Sequence, residues 1–464
     1  MPHLPVLTNS GADAILEEST VQAFQTHLRG ELLRPGDDGY DRARQTWNGM
    51  IGKHPALIAR CTGVADVMDA VQFARDHDLL VAVRGGGHSL PGFSVCDGGM
   101  VIDLSRMKGI RVDPVRRIAL AQAGLTWGEF DRETQRFGLA STGGVISTTG
   151  IAGLTLGGGI GWLMRHYALA CDHLLSVDVV TADGQFLTAS TAEHPDLFWG
   201  VRGGGGNFGI ITSFEYRLHP VGPVLGGMVL HPIAKAREVL RFYREFTQAA
   251  PDELTTYALM LTSPDGVPVV AVVLCYSGSL AAGEQVVRPL REFGAPLADE
   301  IRPMAYCEMQ TLFDAAYPPG WHNYYKSHYL AAISDDLIDT MIAGFTKAPS
   351  PLSALGFEQF GGAVSRVFAQ ETAFRHRDAA YDVAILGEWQ DPADTERNVE
   401  WVREVADATR PFSTGGVYVN FLGEEGEDQV KAAYGSHYQH LVALKRKYDP
   451  TNLFRLNQNI APTA

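Results

Sequence analysis

The pattern best suited to chemistry in this sequence is clustered glycine set against a single histidine. Arg84-Gly85-Gly86-Gly87-His88-Ser89, with Gly92 close behind, is the first of three such clusters. Residues 143–161 (GGVISTTGIAGLTLGGGIG) hold eight glycines in nineteen positions, and residues 200–209 (GVRGGGGNFG) hold six in ten. In a helix or strand interior each glycine costs roughly 0.5–1 kcal/mol relative to alanine. Clusters are used where backbone turns sharply or approaches a ligand, because successive free N–H groups form a concave nest for an anion such as a pyrophosphate. One cluster alone would read as a tight loop; three, each beside a strand-like run, favour a cradle. No GxxxxGK[ST] run is present, which excludes a nucleoside-triphosphate P-loop. No GxGxxG spacing sits between a strand and a helix with an acidic residue ~20 positions on, so a dinucleotide fold of the Rossmann type is excluded too.

The five cysteines (Cys61, Cys96, Cys171, Cys275, Cys307) are scattered, with no CxxC pair and no HExxH motif. Neither a disulfide framework nor a metal site is expected. A second chemical feature is Tyr324-Tyr325-Lys326-Ser327-His328-Tyr329, polar and aromatic on one strand, half of which should face a pocket or solvent.

The elements that must position these residues fall into two grammars. Up to about residue 220 the chain reads as strands with short helices: a helix over 62–77, a strand Leu79–Val83 running into the RGGGHS turn, a helix near 126–137, and a hairpin about Asp183-Gly184. Beyond 220 the glycine clusters vanish. Helices are expected near 233–248, 280–293, 335–347 and 393–408, with strands near 325–331, 354–360, 381–387 and 416–421, which reads as an antiparallel sheet covered by helices. A last helix near 428–447, stopped at Asp449-Pro450, leads into the extended tail Phe454–Ile460. The class is α+β rather than repeated βαβ. Three segments are expected: 1–220, 221–421 and 422–464.

At 464 residues the chain exceeds the usual size of one core. With 45% hydrophobic and 20% charged residues it is an ordinary globular composition. Lys+Arg 38 against Asp+Glu 53 gives a net charge of -15, which disfavours nucleic acid as a partner. No apolar run approaches the ~20 residues of a membrane span. The first residues lack the basic and apolar regions of an export signal, so a cytoplasmic protein is expected.

VRGGGHSLPGFSVCDGGMVIDLSRM resembles the flavin-attachment region of the vanillyl-alcohol-oxidase superfamily. Together with GIAGLTLGGGIGWL, GGGGNFGIIT, YVNF and FRLNQNI it resembles the berberine-bridge-enzyme-like branch, from about Ala56 to Ile460. The resemblance implies a two-subdomain FAD-binding domain of the PCMH type, a substrate domain with a helix-covered antiparallel sheet, and a C-terminal segment returning to the FAD domain. By the same resemblance Arg84, Gly85, Gly86, Gly87, His88 and Ser89, with Gly92, would cradle the pyrophosphate. Thr149, Gly150, Gly153, Gly157, Gly158, Gly159 and Gly161 would line the flavin, Gly209 and Ile211 the adenosine, and Asn420 and Asn457 would complete the site.

His88 matches the histidine that carries the flavin 8α-methyl in this branch. The cysteine of a second linkage would stand near Val145-Ile146, where there is none, so a single covalent bond is implied. Thr149 matches the position that gates oxygen. Tyr418 matches the tyrosine base of carbohydrate- and alcohol-oxidising relatives; Glu388 and Glu358 are weaker candidates, and Asp382–Leu386, where alkaloid-oxidising relatives carry a glutamate, reads as apolar. The expected activity is an FAD-dependent oxidase that takes hydride from a hydroxyl-bearing or similarly activated small molecule (a sugar, phenol or secondary metabolite) and passes it to O2, giving H2O2. Two alternatives stay open: a dehydrogenase of the same fold, and a flavin-containing binding protein. Substrate identity and oligomeric state are not legible.

Overall fold

The computed structural model describes residues 3–424 and 426–462. The glycine-rich half contains two main sheets. Four strands run in the order Glu31–Leu33, Leu57–Arg60, Met100–Asp103, Val81–Arg84. The last three are mutually parallel, with the helix Val64–Asp76 crossing over between Leu57–Arg60 and Val81–Arg84. One βαβ unit is therefore present within a chain that does not read as repeated βαβ, because a parallel pair needs a crossover of about a dozen residues. The second sheet is antiparallel: Phe186–Ser190, Leu174–Val180, Ile210–Arg217, Ile118–Gln122, Ile110–Asp113. The expected hairpin at Asp183-Gly184 closes its edge, with Gly184 at φ +79.

The second half is one antiparallel sheet of eight strands. Its main path includes Val224–Pro232, Pro268–Tyr276, Leu254–Thr262, Ala354–Gln359, Tyr381–Trp389 and His322–Leu330 in that order. The run PVVAVVLCY is apolar on both faces because both are covered. Val270, Val272 and Leu274 pack under helices Ala236–Gln248, Asp335–Phe345 and Thr395–Thr409, while Ala271, Val273 and Cys275 pack toward the glycine-rich half. Ser279 and Ser334 cap the helices that follow them, each accepting a backbone N–H.

Two local expectations are overturned. Residues 416–421 are not a strand: Tyr418 is extended and Val419–Phe421 is a single 3-10 turn, since Asn420 folds back to donate to the Tyr418 hydroxyl and the Leu154 carbonyl. The last helix is two, Glu427–Tyr434 and Tyr438–Tyr448, interrupted at Gly435 (φ +52). The C-terminal residues return to the first core, where Leu441, Leu444, Phe454 and Ile460 pack with Phe198, Phe208 and Phe214. That return is fastened by a fully buried ion pair, Lys445 Nζ to Asp449 Oδ2 at 2.7 Å, whose lysine also donates to the Asn207 and Phe454 carbonyls. No helix among the described residues is long and apolar enough to cross a membrane.

Candidate active site

Between the two halves lies a cavity of about 390 Å³, within the ~300–1,000 Å³ of small-molecule sites. One end is walled by backbone. Loops 84–89 and 148–150 meet there so closely that a Cβ on Gly86 would lie 2.4 Å from the Gly150 nitrogen, and one on Gly150 2.5 Å from the Gly86 nitrogen. Gly87 turns the chain at φ +74, a conformation side chains rarely adopt. Gly85, Gly86, Gly87, His88, Ser89, Thr149, Gly150, Gly153, Gly157, Gly209, Ile211, Asn420 and Asn457 all line the cavity. The other end is walled by side chains of the large sheet and its neighbours, including Tyr257, Phe313, Tyr317, Tyr325, Glu358 and Tyr418.

Five of the residues expected to hold the cofactor do not face this space. Arg84 turns away to donate to the Ala43 carbonyl. Gly92 packs against Ile51, and Gly158 against the Phe374 ring. Gly161 lies against the Gly143 carbonyl, where no side chain fits. Gly159 contributes only its N–H, at 3.3 Å from the Tyr418 hydroxyl. Their glycines serve packing around the cradle rather than its surface.

His88 is stacked on Trp47, ring centroids 4.9 Å apart at 14°. Its Nε2 lies 3.1 Å from the Thr148 hydroxyl and its Nδ1 3.4 Å from that of Thr149. Burial pushes the imidazole down to about 4, opposed by the Thr148 contact and helped by the Arg84 charge, so it is neutral near pH 7. Trp47, some forty residues before His88, carries no sequence signal for this role.

Tyr418 is 1% exposed, and three N–H donors converge on its oxygen: Asn420 Nδ2 at 2.8 Å, Gly159 at 3.3 Å and Ile160 at 3.4 Å. Burial raises the phenol, while these donors draw it back. Glu358 lines the cavity, and burial raises its carboxyl to about 8. Glu388, the other glutamate candidate, does not line it; buried beside Tyr317 and Tyr325, it is raised to about 9 and leaves Oε1 without a partner. Along Tyr324–Tyr329 only Tyr325 reaches the cavity, and the Tyr324 ring meets Lys326 and Arg403 instead. Asp382, in the stretch expected to be apolar, is fully buried on the same sheet face as Glu358. Cys171 is buried against Asp172, away from the cavity.

An FAD molecule suits these residues. The cradle excludes side chains by contact, Asn457 lines it with a buried Oδ1 that has no partner, and Glu358, the one acidic residue among the described residues lining the cavity, belongs to the opposite wall. Residues 55–190 match the "FAD binding domain" family and residues 417–461 the "Berberine and berberine like" family. An FAD-linked oxidoreductase of Dictyostelium discoideum is 32% identical, over 95% of this chain and 97% of that one. The crystal structure of 6-hydroxy-D-nicotine oxidase from Arthrobacter nicotinovorans superimposes with a TM-score of 0.87 at 31% identity, covering 94% of this chain and 98% of that one. Chitooligosaccharide oxidase superimposes at 0.85 with 26% identity, covering 96% and 100%. The overall fold is thus shared with these enzymes, and this chain belongs to the berberine-bridge-like family of FAD-linked oxidoreductases.

Proposed function

We propose that the enzyme is an oxidase with covalently held flavin, acting on a hydroxyl-bearing or similarly activated small molecule (a sugar, phenol or secondary metabolite) and using oxygen to give hydrogen peroxide. FAD, when bound, supplies the hydride acceptor. The observation that carries the reading is the setting of Tyr418, a cavity-lining residue on whose oxygen three donors converge. Burial raises the phenol, and the three donors oppose that rise by favouring phenolate; on this convergence Tyr418 is assigned as the group that takes the substrate proton. Asn420 positions it. The ring-lined wall excludes water from the reacting carbon.

His88 is assigned as the attachment point. Its neutral imidazole keeps a lone pair available, and Trp47 fixes the plane of the ring. His88 would hold the flavin covalently by giving up its imidazole N–H for a C–N bond to the 8α-carbon, which would give up one C–H, with oxygen taking the two electrons and two protons as hydrogen peroxide. Val145 and Ile146 line the cavity without a cysteine, which supports a single bond. Thr149, a small side chain beside His88, leaves room for oxygen.

Acid-denatured protein should stay yellow and give one flavin peptide, containing His88; free flavin in the supernatant, or an adduct on Cys171, counts against the linkage. Anaerobic bleaching across sugars, phenols and secondary metabolites should identify a substrate. If the reduced enzyme takes many minutes to reoxidise in air, it is a dehydrogenase.

A further inference from the structure

The part of the cavity wall formed by Gly144, Val145, Ile146 and Thr149 is gripped from two sides. The helix Trp127–Thr134 holds it by backbone: the Trp127 N–H donates to the Thr149 carbonyl at 2.9 Å, and the Gly128 N–H to that of Ser147 at 2.8 Å. Residues 306–317, which come from the second half and bring Phe313 and Tyr317 to the other end of the cavity, hold it by side chains. Asp314 accepts from the Ser147 N–H at 2.8 Å and from the Ser147 hydroxyl, and Gln310 Nε2 donates to the Gly144 carbonyl at 3.1 Å. A third contact closes the triangle. The same Gln310 nitrogen donates to Asp131 Oδ2 at 2.8 Å, and Asp131 stands on the helix that grips Thr149.

Asp131 and Gln310 are both buried, and no cation bears on the carboxyl: burial raises it to about 7, opposed by the Gln310 hydrogen bond. The ionisable groups facing it from residues 306–309, Tyr306 and Cys307, are raised by burial and stay neutral. On its own helix Glu129 pairs with Lys108, while Arg132 and Glu133 are exposed, as is Arg136 in the turn that follows. Of the strands packed on that helix, Leu139–Ala140 carries no charge; Ile110–Asp113 carries Arg111, which is exposed, and Asp113, which accepts from the Val115 and Arg116 N–H groups. Gln310 commits its amide nitrogen to Asp131 and Gly144, whereas Gln310 Oε1 and Asp131 Oδ1 have no partner. A carboxylic acid and a primary amide make two hydrogen bonds at once, N–H to one carboxyl oxygen and O–H to the amide oxygen. The two oxygens left open are the ones that the second bond would join. Once ionised, the carboxyl offers no donor, and its buried charge has nothing to balance it.

We propose that Asp131 is a positioning residue for the flavin wall, acting through Gln310 on the Gly144 carbonyl. Its acid form closes the pair with Gln310 and fixes Gly144, Val145 and Ile146; its ionised form leaves Gln310 held by one bond and loosens that wall. The inference rests on flavin occupying the cavity and not on the oxidase reading, since neither substrate nor oxygen enters the test. The measurement is visible circular dichroism of the oxidised, flavin-loaded protein from about pH 5.5 to 8.5, a window that spans the Asp131 titration. The infrared carbonyl band of un-ionised carboxylic acid is followed over the same range. His88, lowered to about 4, titrates below it. In the wild type the dichroism should step with a midpoint near 7, and part of the carbonyl band should disappear through that step. Asp131→Asn, whose amide makes both bonds with Gln310, should keep the low-pH spectrum throughout and lack that part of the band. Asp131→Ala should show the high-pH spectrum throughout. The step should persist in Glu358→Gln, because Glu358 lines the cavity and is raised to about 8. A flat wild-type profile, a step that survives Asp131→Asn, a step lost in Glu358→Gln, or a spectrum of Asp131→Asn that matches Asp131→Ala overturns the proposal. Where Asp131→Ala fails to fold, the wild type and Asp131→Asn decide the matter.

Discussion

The two walls of the cavity are built on opposite principles. The glycine wall recognises through backbone: Gly86 and Gly150 touch with no room for a Cβ, and the surface offered to a ligand is N–H and C–H. The sheet wall recognises through side chains, with Tyr257, Tyr325, Glu358 and Tyr418 presented by regular backbone. Backbone recognition tolerates no substitution but says little about a substrate. Side-chain recognition keeps the fold through many substitutions and changes specificity with each. One framework can therefore hold a fixed cofactor against a variable second wall.

The contrast breaks most completely at the glycine wall. Gly86→Ala forces a methyl group into the Gly150 backbone, so purified protein should hold almost no flavin, read as the ratio of 450 to 280 nm absorbance; near-normal loading would mean that the loops are free to separate. On the sheet wall, Tyr418→Phe should leave flavin content unchanged and slow anaerobic flavin reduction by ~10²–10⁴-fold, the range for general-base catalysis. A loss under about threefold would move the proton to Glu358 or water. The fastening of the C-terminal return is the next step down. Asp449→Asn strands the Lys445 charge in a fully buried site, and breaking such a pair costs about 3–5 kcal/mol, measurable by denaturant unfolding of the holoprotein. The smallest effect is expected at Glu388. Its folded carboxyl keeps its proton to about 9, whereas an unfolded glutamate loses it near ~4.3. The folded state thus holds an extra proton across that window, and stability contributed by this group falls as pH rises through it. Glu388→Gln should flatten the decline in thermal midpoint between pH 5 and 9 (roughly the span between those two values) and change flavin reduction little. An unchanged profile would mean that the carboxyl is hydrated.

The same contrast governs what could be read in advance. The cradle was legible because its signal is local: RGGGHS and the 143–161 run are contiguous, and backbone approach demands glycine whatever the tertiary context. The two halves and most helices were legible from periodicity and composition. The sheet wall was not, because it depends on register. Glu358 and Glu388 are both strand glutamates, yet one faces the cavity and the other is buried beside it. Asp382 looked isolated in an apolar stretch until pairing set it opposite Glu358. A shift of one residue would reverse every such assignment. Trp47 reaches His88 through the fold alone, and Tyr418 owes its turn to hydrogen bonds made by Asn420, which no periodicity encodes.

The returning C-terminal segment sets an order of events. Tyr434, Phe454, Leu456, Asn457 and Gln458 form part of the cavity wall that begins at Trp47. While the chain is being made, the glycine loops leave the ribosome hundreds of residues before the tail that closes over them. Until that tail docks, the nest of N–H groups is an open half-shell. The cradle is consequently complete only once the whole chain has been made, and a chain interrupted anywhere before Asn457 leaves it without its final wall.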